Sequence, residues 1–152
     1  MFRLRKIIRI TLLITIGIFI GGYLFSGIQP RSPLALHRCQ ETCFKSNEVL
    51  GLLASIEITK FPLLTYPVVL ETDKTIVIKH PFPYGRVHFV IIPKKDIKNI
   101  GEISEKDQDY LIDIFSVVSE LVQENNLTQY ELITNGPGKQ SVTYLHFHLI
   151  SK

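Results

Sequence analysis

The most regular alternation of apolar and polar positions lies near the C-terminus. From Tyr144 to Leu149, ring-bearing residues alternate with apolar ones, the period-two signature of a strand with one buried face. The pattern predicts that Tyr144, His146 and His148 share one face, successive pairs roughly 6.5–7 Å apart. Leu145, Phe147 and Leu149 then point to the core. Upstream, Tyr66–Leu70 and Thr75–Lys79 read as short strands, with Glu71-Thr72-Asp73-Lys74 as the hairpin turn between them. Arg86–Ile92 reads as a central strand, apolar except at its start and at His88. Ser104 can cap a helix, and Asp107 stands where a capping box has its acid. Leu111, Ile114, Phe115, Val118, Leu121 and Val122 follow as one apolar stripe at helical spacing. Asn125-Asn126 ends that helix and Tyr130–Thr134 supplies the next strand. Two strands, a central strand, a long helix and two final strands predict an α+β fold. Its antiparallel sheet has about five strands, with the long helix packed on one face.

The N-terminus follows another rule. Ile10–Ile28 is free of charge and apolar all round, and as a helix it spans roughly 28 Å, close to a bilayer's hydrocarbon core. Arg3, Arg5, Lys6 and Arg9 precede it directly, which predicts a transmembrane anchor with its N-terminus cytoplasmic and the rest of the chain on the far side. A cleaved signal peptide is the competing reading, although Leu24-Phe25-Ser26-Gly27 offers no convincing small-x-small cleavage site. Gln29-Pro30-Arg31-Ser32-Pro33 breaks the helix and reads as a short linker. Cys39 to Ile58 then has helical apolar spacing, which Pro62 ends. Cys39 and Cys43 leave three possibilities open: a disulfide, two ordinary thiols, or a metal site with His37 nearby.

Charge narrows the function. Those four N-terminal residues belong to the 17 Lys and Arg, so the other 13 face 14 acids and the remainder is near neutral. The basic balance belongs to the tail, and a general nucleic-acid-binding face is unsupported. Candidate chemistry is concentrated at the C-terminal strand. The loop Asn135–Ser141 is rich in turn formers and polar groups, a plausible anion cradle just before two neighbouring imidazoles. The loop His80-Pro81-Phe82-Pro83-Tyr84-Gly85 is rigid and aromatic, suited either to packing on a ligand or to plugging the edge of the domain.

Gln140-Ser141-Val142 with the alternating His146 and His148 is similar to the signature of the histidine triad (HIT) family of nucleotide hydrolases and transferases. His88-Phe89-Val90-Ile91-Ile92-Pro93-Lys94-Lys95 resembles that family's other fixed segment. The resemblance covers roughly Tyr66 to Lys152, and together with the charge and hydropathy pattern the chain divides into a basic tail (1–9), an anchor (10–28), a linker with a helical extension (29–60) and a HIT-like domain (61–152). It implies that His146 attacks an α-phosphate to form a nucleotidyl-histidine, and that His148 donates to a phosphate oxygen. Ser141 with the Gly138–Gln140 backbone would hold the developing charge. Asn135 and Gln140 would contact substrate or fix the loop, and Lys139 would add positive charge. His88 matches a residue near the phosphate, or is a core histidine satisfied by the backbone. Two positions depart from the family pattern. Tyr144 stands where the first triad His belongs, and His80 falls where relatives commonly carry an Asp that binds the ribose hydroxyls. Family members work without a metal, so no metal or other cofactor is expected. The expected function is a membrane-anchored hydrolase of a nucleotide phosphoanhydride or phosphoramidate, with a non-catalytic nucleotide- or phosphate-binding protein as the alternative. A lipid-linked nucleotide of CDP-diacylglycerol type falls within the enzyme reading, and the resemblance implies pairing of two copies edge to edge.

Overall fold

Strand β3 (Val87–Pro93) occupies the middle of the sheet because it is apolar on both faces and needs cover on each. In the computed structural model, which describes residues 2–34, 43–61 and 67–152, it pairs antiparallel with β2 (Thr75–Lys79) and β5 (Phe147–Ser151). The outer strands are β1 (Val68–Glu71) and β4 (Glu131–Ile133), giving the order β1-β2-β3-β5-β4. Helix α3 (Gln108–Glu124) lies on one face. Ile114, Val117, Val118 and Leu121 from the helix meet Val77, Phe89, Ile91, Phe147 and Leu149 from the sheet, and this cluster is the core. Complete burial of side chains such as Ile91, Ile114 and Leu149 contributes about 1.5–3 kcal/mol each before entropy is counted.

The expected fold is the observed one, with shifted boundaries. The final strand begins at Phe147 and not at Tyr144, because Tyr144 N–H turns back to the Val142 carbonyl (2.8 Å) and Leu145 N–H goes to Ile97 O (2.6 Å). The ladder with β3 starts only where Phe147 faces Ile91. Leu145, Phe147 and Leu149 are buried as expected. The capping box is present, with Asp107 Oδ2 accepting from both Ser104 N–H and Oγ–H at 2.7 Å, but it opens a 3-10 turn, Glu105–Asp107, and α3 follows. On α3 the buried stripe includes Val117 and leaves out Phe115, which is exposed beside Ile112. Asn126, at φ +51°, closes the helix in the left-handed conformation that Asn tolerates.

The N-terminal helix α1 runs Phe2–Phe25, taking in the basic residues and stopping short of Ile28. It is long and apolar enough to cross a membrane, a property that signal sequences share, and none of it is buried against the protein. Helix α2 spans Ser46–Lys60, later in its start than the spacing suggested. Cys39, His37, Pro62 and Tyr66 lie outside the described residues, while Cys43 is disulfide-bonded.

The segment after α1 is pinned to the domain. Arg31 and Asp96 form a two-pronged ion pair, Nη2–Oδ1 2.7 Å and Nη1–Oδ2 2.8 Å, with both side chains essentially inaccessible. Removing one partner of such a pair costs about 3–5 kcal/mol, because the other charge stays buried alone. Helix α2 packs on the loop before β5: Thr143 N–H and Oγ–H both donate to Asn47 O at 3.1 Å. A Cβ at Gly51 would collide with Thr143 Oγ1, with Thr143 O (2.8 Å) and with Arg31 Nε (2.9 Å). Gly51→Ala should therefore lower thermal stability by about 1–3 kcal/mol, although the same change in an open helix stabilises by roughly 1 kcal/mol. A calorimetric scan checks the sign, and a rise in Tm would mean that α2 does not sit against Thr143.

Candidate active site

The sheet face opposite α3 is apolar too, and there α2 stands off from the strands and leaves a cavity of about 580 Å³. Its floor is Val68, Ile76, Ile78, Val90 and Ile92, and its α2 wall is Ala54, Glu57 and Ile58. At the other end Asn135, Lys139, Ser141, Tyr144, His146, His148 and His80 converge. Seven residues singled out in the sequence are thus brought to one pocket. His88, Gly138 and Gln140 do not line it. Gln140 is buried and ties the loop, donating from Nε2 to Lys98 O (3.0 Å) and, more weakly, Tyr144 O (3.4 Å).

Pairing of β3 with β5 explains the histidines. Val90 lies opposite His148 and His88 opposite Ile150, so the two imidazoles are diagonal neighbours on one face. Buried behind His148, His88 accepts from Tyr84 N–H at Nδ1 (3.1 Å). Its proton is then on Nε2, which donates to His148 Nδ1 (2.9 Å). His148 in turn carries its proton on Nε2. His146 Nδ1 lies 2.7 Å from Tyr144 O, a group that can only accept, so Nδ1 holds the proton and Nε2 keeps a free lone pair. Backbone and ring partners thereby assign one tautomer to each of the three imidazoles.

The same surroundings keep the rings uncharged. Burial, aided by the neighbouring His146, His88 and His80, lowers His148 to about 4. Burial also lowers His146, with the Tyr144 carbonyl opposing and His80 adding to the shift. His88 is lowered by burial and then by His80, whose ring stacks on it with centroids 4.1 Å apart. The Tyr144 phenol is pushed well above its ordinary value by burial, then by Asp96, and donates to Pro93 O at 2.8 Å. It is a permanently neutral hydrogen-bond donor.

His80, His88 and His148 bring ring nitrogens within 4.8 Å of one another, a spacing that could hold a metal ion. The hydrogen bonds argue against that use. His88 already accepts at one nitrogen and donates from the other, so no lone pair is left for a metal. The anion cradle is also narrower than its sequence suggests. Lys139 and Gln140 N–H both turn inward to Gly136 O (2.9 and 3.1 Å), which leaves the Ser141 and Lys139 side chains to face the cavity.

Residues 63–152, more than half of the chain, match the family model described as "Scavenger mRNA decapping enzyme C-term binding". An uncharacterized HIT-like protein of Chlamydia trachomatis is 34% identical over 85 residues, covering 54% of this chain and 77% of that one. The chain belongs to the histidine triad family. Its fold matches that of a HIT family hydrolase from Clostridium thermocellum, TM-score 0.58 at 32% identity, over 66% of this chain and 89% of that one. A HIT family hydrolase from Legionella pneumophila gives TM-score 0.55 at 29% identity, over 58% and 82%. A histidine triad nucleotide-binding protein from Candida albicans gives 0.51 at 31%, over 61% and 69%. In this HIT protein the α2 wall, Arg31 and Asn47 all lie before the matched region, which is why motif reading did not reach them; only the apolar spacing of α2 hinted at a packed element.

The enclosure of His148 is directly checkable. Histidine NMR should show His148 titrating near 4, with its midpoint rising in His80→Gln as one of the neighbouring charges that depress it is removed. A His148 midpoint near 6.5, the ordinary imidazole value, would mean that the ring is not enclosed as described.

Proposed function

We propose that this HIT protein hydrolyses a nucleotide-containing phosphoanhydride or phosphoramidate through His146. The observation that carries the reading is the 2.7 Å bond from His146 Nδ1 to Tyr144 O. It commits the proton to one nitrogen and leaves the other as a nucleophile inside the cavity. In the first step His146 Nε2 bonds to the α-phosphorus and the bond to the leaving group breaks, the departing atom taking its proton from water. The imidazole becomes a phosphorylated imidazolium, whose retained Nδ1–H points its charge at the Tyr144 carbonyl. His148 Nε2–H and Ser141 donate to the phosphoryl oxygens, with the Lys139 ammonium beside them. Water then displaces His146: its oxygen bonds to phosphorus, one of its protons passes to solvent and the phosphorus–Nε2 bond breaks, which releases a nucleoside monophosphate and restores the neutral ring. The apolar floor suits a nucleobase.

Tyr144 fits the same chemistry. Its contribution to His146 comes from the backbone carbonyl, which any residue supplies, while the phenol donates to Pro93 O. The enclosed, fully partnered phenol supports a working site over a relic.

Within this reading α1 is a membrane anchor with the domain on the far side from its basic end. Near its C-terminal end, Tyr23 and Ser26 meet Lys60 (Lys60 Nζ to Ser26 Oγ 2.8 Å), one turn beyond the cavity residues Glu57 and Ile58. That nearness supports including lipid-linked nucleotides among the substrates. The open β4 edge, with Tyr130 and Ile133 exposed, is consistent with pairing of two copies.

Purified protein incubated with AMP- and CMP-linked substrates, soluble and lipid-linked, should accumulate an acid-labile phosphohistidine adduct, and His146→Ala should abolish both adduct and turnover. Undiminished turnover in His146→Ala removes the proposed nucleophile, and tight nucleotide binding without product selects a binding protein. The pH profile follows from the site. Only neutral His146 reacts, and burial lowers its pKa below the ordinary 6.5. Thus kcat/KM should stay flat through neutrality and fall at acid pH, with a midpoint below 6.5; a midpoint above it contradicts the enclosed ring. For topology, a reporter enzyme fused after Lys152 should be active only outside the cytoplasm.

A further inference from the structure

We propose that Arg31, which lies before the matched family region, is a positioning residue for the catalytic loop, acting through Thr143 on the Tyr144 carbonyl that orients His146. Its kinetic consequence rests on the hydrolase reading, while its structural content does not.

The Arg31 guanidinium is fully enclosed and its donors are all spent. Nη1 and Nη2 take the two oxygens of Asp96, Nη1 also reaches Gln29 O (3.2 Å), Nη2 donates to Thr143 O (2.8 Å) and Nε approaches Thr143 Oγ1 (3.4 Å). Asp96 accepts in addition from Gln29 N–H (2.7 Å). Thr143 is thus held at every polar atom by residues outside the family region, its N–H and Oγ–H by Asn47 and its carbonyl by Arg31. One peptide further, the Tyr144 carbonyl accepts the proton of His146. Gly51 allows the approach, because any side chain there would occupy the Arg31–Thr143 junction. A guanidinium suits this post: it is planar, always charged, and able to hold a carboxylate in two places while a further N–H reaches a carbonyl.

A charge effect on His146 can be separated from this. The ionisable groups that share its cavity are His80 and His148 from the strand side, Glu57 from α2, Lys139 from the loop, and the phenols of Tyr84 and Tyr144. Arg31 and Asp96 are not among them and are not among the charges that act on the ring. Their route to His146 is the geometry of the Thr143–Tyr144 peptide.

The test uses the full chain in lipid nanodiscs and compares wild type, Arg31→Lys and the double variant Arg31→Met/Asp96→Asn. The double variant removes both charges, so no carboxylate is left buried alone. His146 resonances are identified by their loss in His146→Gln. In wild type, nitrogen shifts should report the Nδ1–H tautomer. In the double variant, folded by circular dichroism and melting, that preference should weaken and the His146 midpoint should drop further, since the carbonyl opposing the shift is displaced. The acid limb of kcat/KM moves the same way. kcat falls by about 10- to 100-fold, the cost of displacing a reacting group by around an ångström, with KM little changed. Arg31→Lys, which keeps the charge without the planar fork, should fall between the two, and it carries the same readouts if the double variant does not fold. A folded variant whose His146 tautomer, titration and kcat match wild type overturns the proposal. If wild type shows no turnover, the hydrolase reading fails and the NMR comparison still decides the role of Arg31.

Discussion

The register between β3 and β5 is the constraint on which the molecule turns. Side chains alternate across a strand, so one choice of pairing settles both faces of the sheet at once. With Phe89 opposite Leu149 and Ile91 opposite Phe147, four large apolar groups meet α3. The same choice puts His88 and His148 on the reverse face as diagonal neighbours, near enough to share a proton at 2.9 Å. A one-residue slip of β5 would turn His148 into the core and take Phe147 and Leu149 out of it, so the site's geometry is protected by the energy of the core itself.

The proposed hydrolysis depends on how protons are distributed within that geometry. A histidine is a useful nucleophile only when uncharged and when the reactive nitrogen is the one without the proton. Burial meets the first requirement for His146 and His148. Carbonyl and ring partners meet the second, and none of them depends on the identity of residue 144. Tyr144 thus orients His146 through its backbone carbonyl while its buried phenol bonds the end of β3.

The enclosure itself comes from the N-terminal segment. Without α2, the cavity face of the sheet would lie open to water, the imidazoles would be better solvated, and burial would no longer hold them neutral. Gly51 and Arg31 make the close packing possible, one by having no side chain and the other by matching a buried carboxylate and a carbonyl together. The segment that follows α1 is therefore pinned to the domain at Arg31.

By itself, the sequence determined what local periodicity and short motifs encode. The alternation around His146 and His148, the stripe on α3, the Ser104–Asp107 cap and the apolar run of α1 are properties of neighbouring residues, and each appears in the structure with modest shifts at its ends. Tertiary structure alone decided what depends on contacts between distant residues. The strand could not start at Tyr144, because the Val142 and Ile97 carbonyls, one local and one remote, claim its N–H groups. His88 became a proton partner of His148 across 60 residues of chain. Arg31 read as part of a linker, since nothing in its own neighbourhood reveals Asp96 or Thr143. A buried charge finds its partner through the fold, and only the fold records which partner that is.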